Sequence, residues 1–496
     1  MRQKNRPHAS LSRGTKEAAM AEIKFGTDGW RAIIAEDFTC ANIKLVTQAI
    51  ANYLKNNNLS KKGIVIGYDN RFLSEHFASE CARVMVGNGI RVSMTKKAVP
   101  TPLTAFAIRT CQAGGAIMVT ASHNPPEYNG IKFIPEYAGP ALPDVTTTIE
   151  DEVKRIQEGG RIYELELKEA LALDLLKEID LDREYMNQIL RVINPEAFSN
   201  KPLKIVVDPM YGSGVGYLDR ILTELGCEVR TINNYRDPLF GGSIPEPTDA
   251  GLSDLKRAVV TYKCDLGLAL DGDGDRFGIV DNEGQFVDPN RLAYLLFEHL
   301  LNTRTFRGPV CRSLATTHNL DRIAKQNGLS VIETPVGFKY ISECLREKGC
   351  IMGAEESGGL SIFGHVPEKD GILVGLLAAE ILATTGKTFN QLNQEVVEKY
   401  GIMISERIDI KITPREKERI LADLQDYQPK VVAGIKVDKI DEKEGKKIVM
   451  EDSSWILIRP SGTEPLVRVY IEAADEKRLE EMRQEVMTAL SLQDNQ

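Results

Sequence analysis

The sequence predicts three similar α/β domains with mixed, mainly parallel sheets, followed by a C-terminal α+β domain, and three observations carry that prediction. The chain is 496 residues long, which at about 150 residues per domain allows three or four. Between about residues 62 and 400, short apolar β-type runs alternate with helical patterns in three successive blocks, the rhythm of covered, largely parallel sheets. From about Gly401 the pattern changes to half-exposed alternation and closes in a charged amphipathic helix. The expected boundaries are 1–19 for an N-terminal arm, 20–185, 186–288 and 289–400 for the α/β domains, and 401–496 for the last.

The arm, Met1–Ala19, holds five basic residues and one acid and lacks the apolar core of a secretory signal, so it reads as a disordered arm or an over-long start, and the lack of an amphipathic pattern argues against a mitochondrial-type presequence. In the first block Gly63–Gly67 reads as a buried strand, Glu75–Asn88 as a helix and Ala116–Thr120 as a second strand. Glu150–Met186 is charged and reads as loosely helical. The second block brings the strand Leu203–Asp208, the helix Val215–Leu225 and the strand Asp265–Leu270. The third brings Pro309–Ala315, the helix Asn319–Asn327, the strand Ser330–Glu333 and a long helix around Gly371–Thr385. Three blocks of one architecture suggest a triplication without a repeated motif. In the last block Arg407–Ile412 and Val467–Glu472 read as strands and Asp475–Leu490 as a helix.

Composition narrows the class. Lys and Arg number 62 against 71 Asp and Glu, a net charge of −9, and the pI is about 5.5. A generic nucleic-acid binder needs the opposite surplus. The longest apolar runs, such as Gly371–Ala379, fall well short of the roughly 18 residues of a membrane span. Eight cysteines with no C-x-x-C pair read as reduced thiols of a cytoplasmic protein.

The sharpest chemical segment is Leu268–Phe277, with Asp271, Asp273 and Asp275 at alternate positions. On an extended chain such residues project to one side, so three carboxylates can converge on one hard cation. An EF-hand is excluded, because Arg276 and Asn282 stand where Gly and Glu are required. An aspartyl phosphatase with Asp271 as nucleophile remains open at this point. A second nucleophile is Ser122, just past the buried strand in Gly115–Pro126. It is no hydrolase elbow, since Thr120 and Asn124 replace the glycines; on spacing alone nucleophile and turn residue stand equal, and His123 alone reads as structural. Gly212–Gly216 reads as a tight turn, because Tyr217 stands where a dinucleotide fingerprint wants Gly. Gly386-Lys387-Thr388 reads as a helix end, because Ile381 replaces the first Gly of a phosphate loop. Near the C-terminus Arg459, Ser461, Gly462, Thr463 and Arg468 gather guanidinium, hydroxyl and amide donors suited to a phosphate dianion. Gly353–Gly359 offers acceptors suited to sugar hydroxyls.

Together, and in this order, the segments resemble the α-D-phosphohexomutase family of phosphoglucomutases, phosphomannomutases and phosphoglucosamine mutases. The matching stretches are Phe25–Arg31, Thr120–Pro125, Asp271–Arg276, Thr334–Lys339 around Gly337, Glu355–Gly358 and Arg459–Thr463. The resemblance implies four domains around a central cleft. It implies that Ser122 carries a phosphoryl group beside Mg²⁺ held by Asp271, Asp273, Asp275 and the serine itself. Lys132 matches the family's proton-handling lysine, Arg31 an arginine near the reacting phosphate, and His123 stands next to the serine in the same motif. Arg276, Gly337, Lys339, Glu355, Ser357 and Lys369 are implied to hold the sugar phosphate, and Arg459, Ser461, Gly462, Thr463 and Arg468 the phosphate that is not reacting. The implied activity interconverts hexose 1- and 6-phosphates of glucose or mannose, with glucose 1,6-bisphosphate as intermediate and activator. A bisphosphate synthase or a phosphoglucosamine mutase would use the same site. Glu356 resembles the glucose and mannose branches, whereas Phe25-Gly-Thr-Asp-Gly also resembles the glucosamine branch. Implied partners are small phosphosugars, with neither nucleic acid nor membrane, and the chain is a monomer or a homo-oligomer.

Overall fold

A computed structural model describes residues 23–26, 28–199, 202–460 and 466–490; the N-terminal arm and Ser461, Gly462 and Thr463 lie outside them. The described chain forms four sheets. In spatial order the first holds the strands Trp30–Ile33, Tyr128–Pro135, Gly115–Val119, Ile64–Tyr68, Val92–Thr95 and Leu176–Ile179. The second holds Phe286–Val287, Phe277–Asp281, Leu266–Leu270, Lys204–Asp208 and Glu228–Thr231. The third holds Val331–Thr334, Val310–Ser313, Met352–Ala354 and Leu360–Ile362. These sheets are mixed and mainly parallel, and the fourth is antiparallel.

One plan recurs in the first three. A first strand (Ile64–Tyr68, Lys204–Asp208, Val310–Ser313) lies between a parallel second and a parallel third strand, and the third turns back into an antiparallel neighbour. The central strands Ile64–Tyr68, Gly115–Val119 and Leu266–Leu270 are buried along their whole length, as strands covered on both faces must be. The turn after the third strand, at 120–127, 271–276 and 355–359, therefore occupies the same topological place each time. The triplication expected from the rhythm is visible here as strand order.

Two expectations needed correction. The charged stretch Glu150–Met186 is not simply helical: Leu176–Ile179 pairs with Val92–Thr95 as the parallel edge strand of the first sheet. Its middle residues Lys177 and Glu178 are exposed, which hides a strand from a search for apolar runs. The Asp triad lies not on extended chain but on the tight turn 271–276 between antiparallel strands.

The helix Gly371–Thr385 is apolar on every side, and all but its last two residues are buried. It packs against Leu218 and Leu268 of the second block, and one hydrophobic cluster runs through the second and third blocks. Each large side chain so buried stabilises by about 1.5–3 kcal/mol. The single acid in the helix, Glu380, is matched by His299 Nε2 at 2.7 Å and Arg304 Nη2 at 2.9 Å. Among the described residues no single helix is long and apolar enough to cross a membrane.

In the fourth sheet Ile404–Lys411 pairs with Leu466–Ala473, which pairs with Trp455–Pro460. The helices Pro414–Asp426 and Glu476–Ala489 accompany it, the first opened by a reciprocal capping box between Thr413 and Glu416.

Candidate active site

The three equivalent turns carry Ser122, the Asp triad, and Glu355 with Ser357. In the first, Ser122 adopts φ +51°, a left-handed conformation that costs a residue with a Cβ about 1 kcal/mol. Its N–H donates to Thr120 Oγ1 at 2.8 Å, and Thr120 Oγ1 donates to Asp69 Oδ2 at 2.6 Å. Beneath the turn the buried Arg71 guanidinium donates to the carbonyl oxygens of Ser122 (2.7 Å), Asn124 (2.6 Å), Pro125 (2.8 Å) and Tyr128 (3.0 Å). Its Nε lies 3.3 Å from Asp69 Oδ2. Asp69 and Arg71 thus hold the strained serine from below.

The second turn meets the first directly. Ser122 Oγ donates to Asp271 Oδ2 at 2.8 Å and lies 3.3 Å from His123 Nδ1. This approach requires glycine at 272, where a Cβ would fall 2.4 Å from the Ser122 carbonyl oxygen. The glycine-rich segment at 212–216 supports the turn from behind: a Cβ on Gly212 would fall 2.7 Å from the Gly272 oxygen, which also accepts from the Ser213 N–H at 3.0 Å. The tight-turn reading of that segment is the one its packing supports.

Asp271, Asp273 and Asp275 are fully buried, and each offers an oxygen within 4.8 Å of the others. Asp273 Oδ1 and Asp275 Oδ1 have no hydrogen-bond partner. Buried carboxylate oxygens without donors are costly, and a divalent cation supplies what they lack. The triad fits a hard metal ion. Burial, with Asp273 and Asp275 beside it, pushes the Asp271 carboxyl well above the usual range. Asp273 goes the other way: burial opposes its charge, but Lys132 and the 2.6 Å hydrogen bond from Thr101 Oγ1 hold it low.

Lys132 Nζ lies 2.8 Å from Asp273 Oδ2, 2.9 Å from Asp275 Oδ2 and 2.9 Å from Asp28 Oδ2. Burial works against its charge, and the three carboxylates overcome it, keeping the ammonium well above the usual lysine range. Lys369 Nζ contacts Asp28 and Asp275. Arg31 donates to Asn124 Oδ1 at 2.6 Å, and Arg276 Nη1 meets Glu246 Oε1 at 3.3 Å while its N–H donates to Asp271 Oδ1. Burial, with Arg276 and Arg31 nearby, holds the His123 imidazole neutral, far below its usual pKa.

In the third turn Glu355 Oε1 accepts from the Gly337 N–H at 2.9 Å, and Ser357 is half-buried in the same turn. Gly337, at φ +125°, precedes the helix Phe338–Glu347, and Lys339 lies in its first turn. Burial lowers the Lys339 amine, and Asp28 opposes that shift. In the fourth sheet Arg459 and Arg468 are directly opposed across antiparallel strands. Each has a carboxylate nearby, Glu444 beside Arg459 and Asp409 3.8 Å from Arg468 Nε. Glu444 Oε2 lies 3.9 Å from Arg459 Nε and accepts from the Val336 N–H at 2.9 Å, joining this region to the loop before Gly337.

The structure thus gathers Ser122, His123, Arg31, Lys132, the Asp triad, Arg276 and Lys369 in one charged junction. Glu355 and Gly337 form a second pair, and Arg459 with Arg468 a third. Sequence reading assigned no role to Asp28, Asp69, Arg71 or Glu246. Asp69 and Arg71 immediately follow a buried parallel strand, the same signal that singled out Asp271.

Models of phosphoglucomutase/phosphomannomutase match the chain in four pieces: alpha/beta/alpha domain I over residues 22–160, domain II over 183–284, domain III over 288–400 and the C-terminal domain over 410–489. A phosphoglucomutase/phosphomannomutase of Thermococcus kodakarensis is 31% identical over 457 residues, covering 92% of this chain and 96% of the relative. A phosphoglucosamine mutase of Caldicellulosiruptor bescii is also 31% identical, over 470 residues, covering 94% and 98%. A crystal structure from Thermus thermophilus, provisionally named a phosphomannomutase, superposes with a TM-score of 0.82 at 31% identity, covering 95% of this chain and 100% of that one.

Proposed function

The chain belongs to the phosphoglucomutase/phosphomannomutase family and is a phosphohexomutase, and on that premise we propose that it interconverts the 1- and 6-phosphates of glucose or mannose through a phosphoserine at Ser122 and a hexose 1,6-bisphosphate. The observation that supports this reading is the strained Ser122, whose Oγ lies 2.8 Å from Asp271 between the first and second turns. An aspartyl phosphatase using Asp271 would leave such a serine without a task.

In the proposed cycle the free hydroxyl of a hexose monophosphate attacks the phosphorus of phospho-Ser122. The P–Oγ bond breaks as the new P–O bond forms, and the proton of the attacking hydroxyl ends on the freed Ser122 Oγ. The bisphosphate turns round, its other phosphoryl group returns to Ser122 Oγ, and the isomerised monophosphate leaves. Asp271, Asp273 and Asp275 would hold Mg²⁺, which supplies Lewis-acid neutralisation of the phosphoryl charge. Arg31 and Lys132 add positive charge where it spreads over the equatorial oxygens. Lys132 as described is an ammonium, a charge donor first; it accepts the proton only when its three carboxylates are otherwise neutralised. Glu355, Ser357, Gly337, Lys339, Arg276 and Lys369 orient the sugar phosphate, and Arg459 and Arg468 with Ser461, Gly462 and Thr463 take the idle phosphate.

Phosphoglucosamine is a second reading, favoured by the equal identity of the Caldicellulosiruptor relative. The test of the cycle is to treat the protein with glucose 1,6-bisphosphate and locate the phosphoryl group by peptide mass spectrometry. Label on Ser122, isomerisation of hexose 1-phosphates and loss of both in Ser122→Ala are expected. Near-normal turnover by Ser122→Ala overturns the reading.

A further inference from the structure

Glu355 and Ser357 bracket a residue whose side chain turns elsewhere. Glu356 Oε1 accepts from the Tyr470 hydroxyl at 3.2 Å, and Oε2 accepts from Ser313 Oγ at 3.3 Å. The Glu356 N–H donates to Thr316 Oγ1 at 3.2 Å, which in turn hydrogen-bonds Ser313 Oγ at 2.8 Å. Its partners therefore lie in the third sheet and in the fourth. Tyr470 is buried in a cluster with Ala315, Trp455 and Leu457, the apolar seam between those two sheets. It follows Arg468 by two residues on the strand Leu466–Ala473, and residues so spaced share a face.

We propose that Glu356 is a positioning residue that couples the sugar-binding turn to the phosphate-holding sheet. This rests on the mutase reading. A hexose monophosphate offers hydroxyls to Glu355 and Ser357 and its idle phosphate to Arg459 and Arg468, so its affinity depends on the separation of two groups carried by different domains. The Glu356–Tyr470 bond fixes that separation. The nature of the residue at 356 then reports on the joint between domains, not on which hexose is held.

Tyr470→Phe removes only the hydroxyl, and Glu356→Ala removes its acceptor. Each raises KM for glucose 1-phosphate, mannose 1-phosphate and glucosamine 1-phosphate by a common factor of about ten, the worth of a hydrogen bond to a charged group. Their kcat values change less than about twofold, and the double variant is no worse than either single one. Glu356→Gln, which still accepts from Tyr470 and donates to Ser313, restores most of the affinity. In calorimetry Tyr470→Phe binds glucose 1-phosphate more weakly than the parent protein but binds inorganic phosphate equally well. Substitutions at 356 that change the ratio between hexoses, with Tyr470→Phe silent, overturn the proposal, since Glu356 then faces the sugar. Equal weakening of inorganic phosphate also overturns it, as the phenol then merely supports the sheet. The calorimetric comparison does not depend on turnover, so failure of the mutase cycle is read separately, as absence of isomerisation by the parent protein.

Discussion

Lys369 Nζ lies 3.0 Å from Asp28 Oδ2 although 341 residues separate them in the chain. Lys132 reaches the same Asp28 oxygen at 2.9 Å, and both ammonium groups share Asp275 Oδ2, at 3.1 and 2.9 Å. Four charges alternate in a closed ring drawn from the first, second and third blocks. Burial opposes the Asp28 carboxylate, but Lys132, Lys369 and Arg31 hold it well below the usual range. Removing one member of a buried set strands the others. Asp28→Asn should therefore destabilise the protein by about 3 kcal/mol in equilibrium denaturation and cut turnover at least tenfold, with Asp28→Glu less damaging on both counts. Unchanged stability and turnover would show that the ring is incidental.

A cation that binds the folded Asp turn and not the unfolded chain stabilises by mass action, about 2.7 kcal/mol at a hundred times its Kd. Mg²⁺ should raise the thermal midpoint of the parent protein and leave that of Asp273→Asn nearly unmoved. Exhaustive chelation should stop isomerisation, and readdition of Mg²⁺ should restore it. Full turnover without metal would rule out the assignment of the triad.

Arg459 and Arg468 are paired in register across the fourth sheet, and the proposal gives both to the idle phosphate. Arg459→Ala should raise KM for hexose phosphates at least tenfold while leaving stability within about 0.5 kcal/mol of the parent. An unchanged KM would remove the pair from the phosphate site.

Burial, and Glu356 beside it, push the Glu355 carboxyl up to about 7. Only the carboxylate accepts sugar hydroxyls at both oxygens, so KM should rise as pH falls through 7. Stability has the opposite sign. With the folded pKa above the unfolded value, the folded state holds the proton more tightly, and the stability Glu355 contributes is complete below about pH 4.5 and lost as pH rises through 7. The substrate's own phosphate titrates near pH 6, so the comparison is with Glu355→Gln, whose KM profile should keep only the phosphate inflection. A profile identical to the parent's would take Glu355 out of the sugar site.

Much of the architecture was legible because parallel strands covered on both faces leave unbroken apolar runs such as Ile64–Tyr68 and Leu266–Leu270. Leu176–Ile179 was not, because two of its four residues face solvent. Within the candidate site, Ser122 and the Asp turn stood out because each follows such a run and carries an unusual local pattern. Arg71 follows one too, but its work, gathering four carbonyl oxygens of a turn more than fifty residues away, leaves no local trace. Asp28 is harder still, since its partners Lys132 and Lys369 come from the first and third blocks, 104 and 341 residues away. Glu356 stood out in the sequence only for its resemblance to the glucose and mannose branches, and nothing local shows that its partners in space are Tyr470 and Ser313.

The turn after the third strand of each α/β sheet holds Ser122, the proposed phosphoryl carrier, in the first, three clustered carboxylates in the second and Glu355 with Ser357 in the third. A strand plan repeated three times offers three such turns, and the side chains of one can change without moving its strands. On the proposed reading, substitutions at Glu355 and Ser357 alter the sugar contacts while the serine and the acids keep their register. A change of sugar specificity on that reading needs only a few substitutions at one hairpin, with the other two turns left as they are.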